Sequence, residues 1–292
     1  MKDEIVIAEA CNGQVRIHAA CTTALCEQAR VLHHCLATSA AALGRVMTVT
    51  AIMASDLKND EEKITSVVNG HGPIGTVLAQ AKGNGEVRGF VSDPSIYLVR
   101  EDGHLAVGQA VGTNGTLTVI KDLGLKEPFS GIVRLRSGEI GEDYAYYFAI
   151  SEQTPSVVSA GVLVEPEGNI SAAGGMIIQL LPGAGEEAIE KCEQVAKELL
   201  PMTTLIHEGK TLEESIRRYF GDAEILDHRD VKWNCPCNKE HYRDALSTIS
   251  LKDLDEMIAE GKPIEIVCEY CGTKYTFSSD ELKEIRSIAC GK

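Results

Sequence analysis

The sequence is poor in aromatic residues, with one Trp, five Phe and eight Tyr among 292 residues. A core built from it must rely on Val, Ile, Leu and Ala rather than on a few large rings. It has no surplus of positive charge either. Its 28 Lys and Arg stand against 43 Asp and Glu, a formal net charge of −15. Neutralising phosphates takes a local excess of cations, so no nucleic-acid partner is expected. No stretch approaches the roughly 18 apolar residues of a membrane helix, so no membrane association is expected. The opening Met1-Lys2-Asp3-Glu4-Ile5 lacks a basic segment leading into an apolar run. No signal peptide is therefore expected, and the cytoplasm is the expected compartment.

Cysteine is the residue in excess, at ten. In a reducing compartment such a count points to metal or redox chemistry rather than to a disulfide framework. Cys11, Cys21, Cys26 and Cys35 are irregularly spaced and read as small core residues. Cys192 falls on the apolar stripe of a predicted helix, and Cys290 fits no ligand spacing. His33 and His34 are adjacent, so a helix cannot aim both at one metal.

The periodicity predicts an α+β fold in three parts. Residues 1–183 read as a core domain of mostly antiparallel sheets packed with helices. Strands are predicted at 4–10 and 14–19, joined at Asn12-Gly13, then helices at 22–36 and 39–57. Glycine-punctuated strands follow at 64–68, 75–81, 86–91, 105–109, 116–119 and 131–135. A helix at 142–150, strands at 156–164 and 171–181, and a helix at 186–200 come next. That last helix carries Ile189, Cys192, Val195, Ala196 and Leu199 on one stripe. Residues 184–230 read as a helical linker. Thr211-Leu212-Glu213-Glu214 opens a short helix with a capping box. Its Leu212, Ile216, Tyr219 and Phe220 need a surface to cover, because so short a helix is unstable alone in water. Residues 231–292 read as a small α/β domain. It has helices at 241–249 and from Ser250 to Gly261, a hairpin of 263–267 and 274–277, and a final helix capped by Ser279.

Gly70-His71-Gly72-Pro73-Ile74-Gly75 matches the dinucleotide fingerprint G-x-G-x-x-G. That fingerprint works only where a helix N-terminus follows to hold the pyrophosphate. Here a strand pattern follows, so no ATP or other nucleotide site is expected.

The chemistry sits in the last part. Cys235-Pro236-Cys237 and Cys268-Glu269-Tyr270-Cys271 place four thiols as two close pairs, thirty residues apart. Two turns that each present two thiolates meet the needs of a tetrahedral four-cysteine site, and one zinc ion is the expected cofactor. About sixty residues with few large apolar groups make a marginal core. Structural zinc contributes on the order of 10–16 kcal/mol in small peptides, so losing it would unfold the domain. Lys232, Lys239, Arg243 and Lys274 are close in sequence and offer to offset the thiolate charge. The spacing alone leaves several readings open. One is a plain structural zinc domain. A second is a thiol–disulfide oxidoreductase using Cys268 and Cys271, although such pairs normally sit at a helix start. A third is a zinc-ribbon nucleic-acid binder, which the absence of a basic, aromatic surface opposes.

The C-x-C and C-x-x-C pattern, together with the core, resembles the redox-regulated 33-kilodalton chaperonin family. The resemblance spans nearly the whole chain. It is carried by Gly70 to Gly75, Val87-Arg88-Gly89-Phe90, the run from Lys121 to Gly131, Ser151-Glu152-Gln153-Thr154-Pro155 and the run from Gly174 to Gly183. The resemblance implies a non-enzymatic, ATP-independent holdase that binds unfolded client proteins. It implies zinc on Cys235, Cys237, Cys268 and Cys271 in an inactive reduced form. Oxidation is implied to form Cys235–Cys237 and Cys268–Cys271 disulfides, release zinc, unfold the zinc domain and linker, and favour a homodimer. A Cys235–Cys237 bond would close a very small, strained ring, and strained disulfides are the readily reduced ones. The other six cysteines are given no role.

Overall fold

The computed structural model describes residues 2–289 and divides into two compact units, Met1–Asn234 and Cys235–Lys292. In the larger unit a hairpin of β1 (Glu4–Ala10) and β2 (Val15–Cys21) leads into α1 (Thr23–His33) and α2 (Ala37–Ala54). Then come β3 (Lys63–Asn69), β4 (Thr76–Lys82), β5 (Glu86–Val91), α3 (Val107–Val111), β6 (Thr116–Asp122), β7 (Phe129–Arg134) and α4 (Gly141–Ile150). The long hairpin of β8 (Ser156–Val164) and β9 (Ile170–Leu180) follows. After it come α5 (Glu186–Glu198), α6 (Met202–His207), α7 (Leu212–Tyr219), β10 (Glu224–Asp230) and the two-residue β11 (Lys232–Trp233).

These strands form two sheets. One has the order β10-β1-β2-β9-β8 and the other β11-β5-β4-β3-β6-β7. All pairings are antiparallel except β11 with β5. The α+β expectation holds. Side chains alternate across a strand, so β1 sends Ile5 and Ile7 into one apolar cluster and Val6, Ala8 and Ala10 into another. The first cluster lies between the sheets around α2. The second is closed by α5, α6 and α7, through Cys192, Val195, Leu205, Ile216 and Phe220.

Alone among the described helices, α2 has the length and mean hydropathy, 1.3, of a membrane span, against the expectation that no stretch would. Of that window 89% is buried inside the protein. A helix apolar all round is what a position between two sheets requires. Its neighbour α1 has no side-chain cap of its own. The buried Asp3 supplies one from β1's end, accepting from Ala24 N at 3.0 Å and Leu25 N at 2.6 Å.

Some predicted elements change. Residues 105–109 do not form a strand; α3 occupies 107–111 and buries Val107, Ala110 and Val111, the i, i+3, i+4 set of a helix. Short apolar runs do not declare their period. On α5 the inward stripe is Ala188, Cys192 and Val195, while Ile189 is exposed. The helix α6 and strand β10 were not foreseen. The capping box at Thr211 is present, with Thr211 Oγ1 accepting from Glu214 N at 3.1 Å. At Asn12-Gly13 the turn takes three left-handed residues, Cys11, Asn12 and Gly13.

The glycine motif has a packing explanation. It joins β3 to β4 with no helix after it. A Cβ on Gly70 would lie 2.1 Å from the Gly112 carbonyl oxygen, and one on Gly72 would lie 2.3 Å from that of Ala110. The glycines let two backbones meet, and Gly72 N donates to Val111 O at 2.9 Å. Replacing Gly72 by Ala is expected to destabilise the larger unit by about 1–3 kcal/mol through overpacking. The single tryptophan, Trp233, packs on that unit's core and reports its unfolding in urea. An unshifted midpoint would mean the loop has slack.

The smaller unit holds α8 (Lys239–Leu246), α9 (Leu251–Ala259), a hairpin of β12 (Ile264–Val267) and β13 (Lys274–Phe277), and α10 (Ser279–Ala289). Its core is five buried side chains, Leu246, Leu254, Phe277, Leu282 and Ile285. Ser278, not Ser279, caps α10. Its hydroxyl accepts from Glu281 N while the Glu281 carboxylate accepts from Ser278 N. Cys290 lies outside the described residues.

Candidate metal centre

Each half of the cysteine cluster is positioned by local backbone chemistry. Cys235 and Cys237 lie on the extended segment before α8, and Pro236 between them keeps Cys235 out of helical geometry. Asn238 then starts α8 by accepting from His241 N at 2.8 Å. Cys268 and Cys271 occupy the turn between β12 and β13. Cys268 N donates to Thr273 O at 2.9 Å, and Gly272 N donates to Cys268 O at 2.8 Å. Gly272 sits at φ +69°, a left-handed position that glycine takes without strain.

The fold brings the four predicted residues together. Cys235 Sγ is 3.7 Å from Cys268 Sγ, and Cys237 Sγ is 3.3 Å from Cys271 Sγ. All four sulfurs lie within 4.8 Å of one another. A tetrahedron of thiolates about 2.3 Å from a zinc ion has edges of about 3.8 Å. The sulfur separations bracket that edge, so the donor set fits such an ion. Cys268 is buried and the other three are partly buried.

Two tyrosines that sequence reasoning missed complete the surroundings. Tyr275 on β13 donates its hydroxyl to Cys237 O at 3.0 Å and lies 3.2 Å from Cys237 Sγ. Tyr242 on α8 hydrogen-bonds to Cys268 and stacks on Tyr275 with ring centres 5.0 Å apart. Neither residue follows a ligand spacing, and in one sequence a tyrosine beside a sulfur looks like any core tyrosine.

Burial raises the Cys268 thiol, but hydrogen bonds from Tyr242 and from the turn amides of Cys271 and Tyr270 outweigh it. The thiol is held down at about 7. Burial pushes Cys237 up to about 12, with the neighbouring thiols adding to it. The hydrogen bond to Cys237 pushes Tyr275 up to about 12. Uneven thiols within one cluster let a single sulfur react first.

The four cations near these cysteines in sequence are each engaged by a carboxylate. Lys239 pairs with Glu281 at 2.5 Å, Arg243 with Glu284 at 3.4 Å, Lys274 with Glu265 at 2.9 Å and Lys232 with Glu86 at 3.8 Å. The expectation that they offset thiolate charge is corrected accordingly; hydroxyls and turn amides are what contact the sulfurs. Cys11, Cys21, Cys26, Cys35 and Cys192 are not brought to the cluster. The paired histidines are structural: His33 Nε2 meets Gly89 O at 2.9 Å, and His34 ends α1 in a left-handed turn.

The family model described as Hsp33 protein matches residues 3–278. A 33 kDa chaperonin of Thermoanaerobacter sp. (strain X514) is 43% identical over 292 residues, covering 99% of each chain. One of Bacillus subtilis (strain 168) is 44% identical over 286 residues, covering 97% of this chain and 98% of its own. The crystal structure of a 33 kDa chaperonin, a heat shock protein 33 homologue from Thermotoga maritima, superposes with a TM-score of 0.90 at 35% identity, covering all of both chains. A match of this length in sequence and in fold places the chain in the Hsp33 family.

Proposed function

We propose that this protein is a chaperone of the holdase kind, switched by oxidation of its cysteine cluster and independent of ATP. The observation that carries the reading is an apolar sheet face covered only by short helices. The α5–α7 helices bury Val6, Ala8, Val15, Ile17 and Ile178 of the five-stranded sheet. An uncovered face of that kind is what an unfolding client with exposed apolar segments would bind.

Zinc, bound to Cys235, Cys237, Cys268 and Cys271, would clamp the 235–237 segment to the 268–271 turn and hold the four sulfurs as thiolates. The remaining steps belong to the chain. A peroxide oxidises one cysteine of a pair to a sulfenic acid with release of water. Its partner thiol then displaces a second water to close the disulfide. We assign the pairs as Cys235–Cys237 and Cys268–Cys271, the pairing that the family resemblance implies. With both formed, no thiolate donors remain. Five buried side chains are too small a core for a unit of this size, so it unfolds.

What lies just before the cluster is weakly held. β10 is an edge strand with mostly exposed side chains, and β11 contributes two residues. Loss of order after Cys235 can therefore run back through them to α7, whose eight residues are unstable once undocked. The cytoplasm, where thiols are kept reduced, is the compartment in which such a switch rests in its off state. A homodimer that doubles the binding surface belongs to the active form.

The reading is tested by peroxide treatment at a heat-shock temperature, following zinc with a chelating dye and a denatured enzyme's aggregation by light scattering. Zinc release and suppressed scattering are expected together. Zinc release with undiminished scattering would sink the proposal. Chelating the metal from reduced protein is expected to collapse the amide dispersion of residues 235–289 while the amides of β3, β4 and β6 stay dispersed; an intact smaller unit would contradict the clamp. Ile216→Asp puts a charge into the fully buried contact of α7, at a cost of several kcal/mol. It is expected to suppress aggregation without any oxidant, and inactivity of the folded, reduced variant would count against the cover.

A further inference from the structure

A cavity in the larger unit belongs neither to the metal cluster nor to the sheet face that α5, α6 and α7 cover. It has a volume of about 400 Å³ and opens between the two sheets at the end of α2. Ile177 of the five-stranded sheet, Ile64 of the six-stranded sheet, Ile52 and Met53 of α2 and Phe148 of α4 give it apolar walls. Clefts of roughly 300–1,000 Å³ with such walls and a few fixed polar groups are the usual form of a small-molecule site.

His18 forms part of the wall. It sits on β2 between Ile7 and Ile177 of the neighbouring strands and is 1% exposed. One ring nitrogen, Nε2, lies 3.0 Å from Asp56 Oδ1, while the other, Nδ1, is buried with no protein partner. A carboxylate only accepts, so Nε2 donates to Asp56. A buried nitrogen left unmatched costs free energy, and packing alone would be better served there by an apolar side chain. What the histidine does in that place is hold the Asp56 carboxylate at the cavity, whose lining Asp56 shares.

The charges lining the cavity are matched except at Asp56. Glu152 accepts from Lys121 at 2.7 Å and from Tyr147 at 2.6 Å. Glu62 accepts from the backbone N–H groups of Lys58 and Asn59 at 3.0 and 3.3 Å, beside the Lys58 charge. Arg16 and Arg229, whose charges reach Asp56, are held by Glu9 at 2.7 Å and by Asp227 at 3.0 Å. Among the described residues only His18 bonds the Asp56 carboxylate, which is 46% exposed. Imidazole is uncharged at pH 8, so one negative charge is left over beside apolar walls. We propose that this cavity binds a small amphiphilic monocation, its compact apolar body seated between Ile64, Phe148 and Ile177 and its protonated amine paired with Asp56. Such a ligand touches both sheets and α2, and so favours the folded larger unit. The site does not depend on the chaperone reading.

The test titrates the full-length reduced protein at pH 8, by calorimetry and by amide shifts, with tryptamine, tryptophol and indole-3-acetate. These share one ring system and carry a positive charge, none and a negative charge. Tryptamine is expected to bind with a dissociation constant below about 1 mM, tryptophol about tenfold more weakly, and indole-3-acetate more weakly still. The shifted amides are expected to be those at and around Ile64, Phe148 and Ile177. Asp56→Asn removes the charge at a half-exposed position and keeps an oxygen for His18. It is expected to retain the amide dispersion of β3, β4 and β6, to weaken tryptamine about tenfold and to leave tryptophol within about twofold. Equal affinity for the cation and the anion overturns the proposal, as does tryptamine binding that Asp56→Asn leaves unchanged. Shifts confined to residues outside the cavity, or no binding at about 10 mM, overturn it as well.

Discussion

Both faces of the five-stranded sheet are apolar, and each has to be kept from water. β1, β2 and β9 are buried on both sides, so their sequences run apolar almost without a break. One face is closed by α2, a helix with no polar side to turn outward. That cover is set by the core itself. The other face is closed by α5, α6 and α7, whose outward sides are polar and whose longest member has 13 residues. Helices so short contribute little on their own, and nearly all their stability comes from the sheet they lie on. The docking free energy of three small helices is what the architecture turns on.

Placing the proposed redox chemistry in a small unit follows from the same economy. A thiol deep in the large core, such as Cys26, is too desolvated to ionise and too enclosed to meet an oxidant. Thiols on a narrow turn can be half-exposed, and amides and tyrosine hydroxyls can hold one of them near neutrality, as they do for Cys268. A unit whose apolar core is five side chains depends on its crosslinks to a degree that the large unit does not. In the function proposed here, a change at four sulfur atoms is amplified because only a small apolar core secures the fold around them.

Much of this was legible in the sequence, for physical reasons that differ from place to place. The β strands announced themselves by alternation and by glycine turns, and α7 by its capping box, because those signals are local. The four cysteines stood out because thiolate spacing in two turns has few other uses. The pairing of β10 with β1 joins residues more than two hundred positions apart, and its charged sequence Glu-Ile-Leu-Asp-His-Arg-Asp carries no strand period. Tyr242 and Tyr275 reach the sulfurs only through the packing of α8 on β13, which no spacing rule encodes. Ile189 was placed inward because it is apolar, whereas the helix turns the smaller Ala188 to the sheet.

The charges around the cluster bear on how the proposed switch would stay reversible. Lys239, Arg243 and Lys274 are each held by a carboxylate on an exposed surface, where an ion pair contributes little to stability. They therefore do not fix the thiolates with a strong field that would persist after oxidation. The groups that do contact sulfur, the Tyr242 and Tyr275 hydroxyls and the amides of the 268–271 turn, exist in that arrangement only while the smaller unit is folded. Under that proposal, a thiolate stabilised by its own fold would lose that support when the fold is lost, and regain it when reduction lets the turns close again. In the proposed switch the chemistry and the folding of the smaller unit would be one equilibrium, with the metal and the oxidant drawing it in opposite directions.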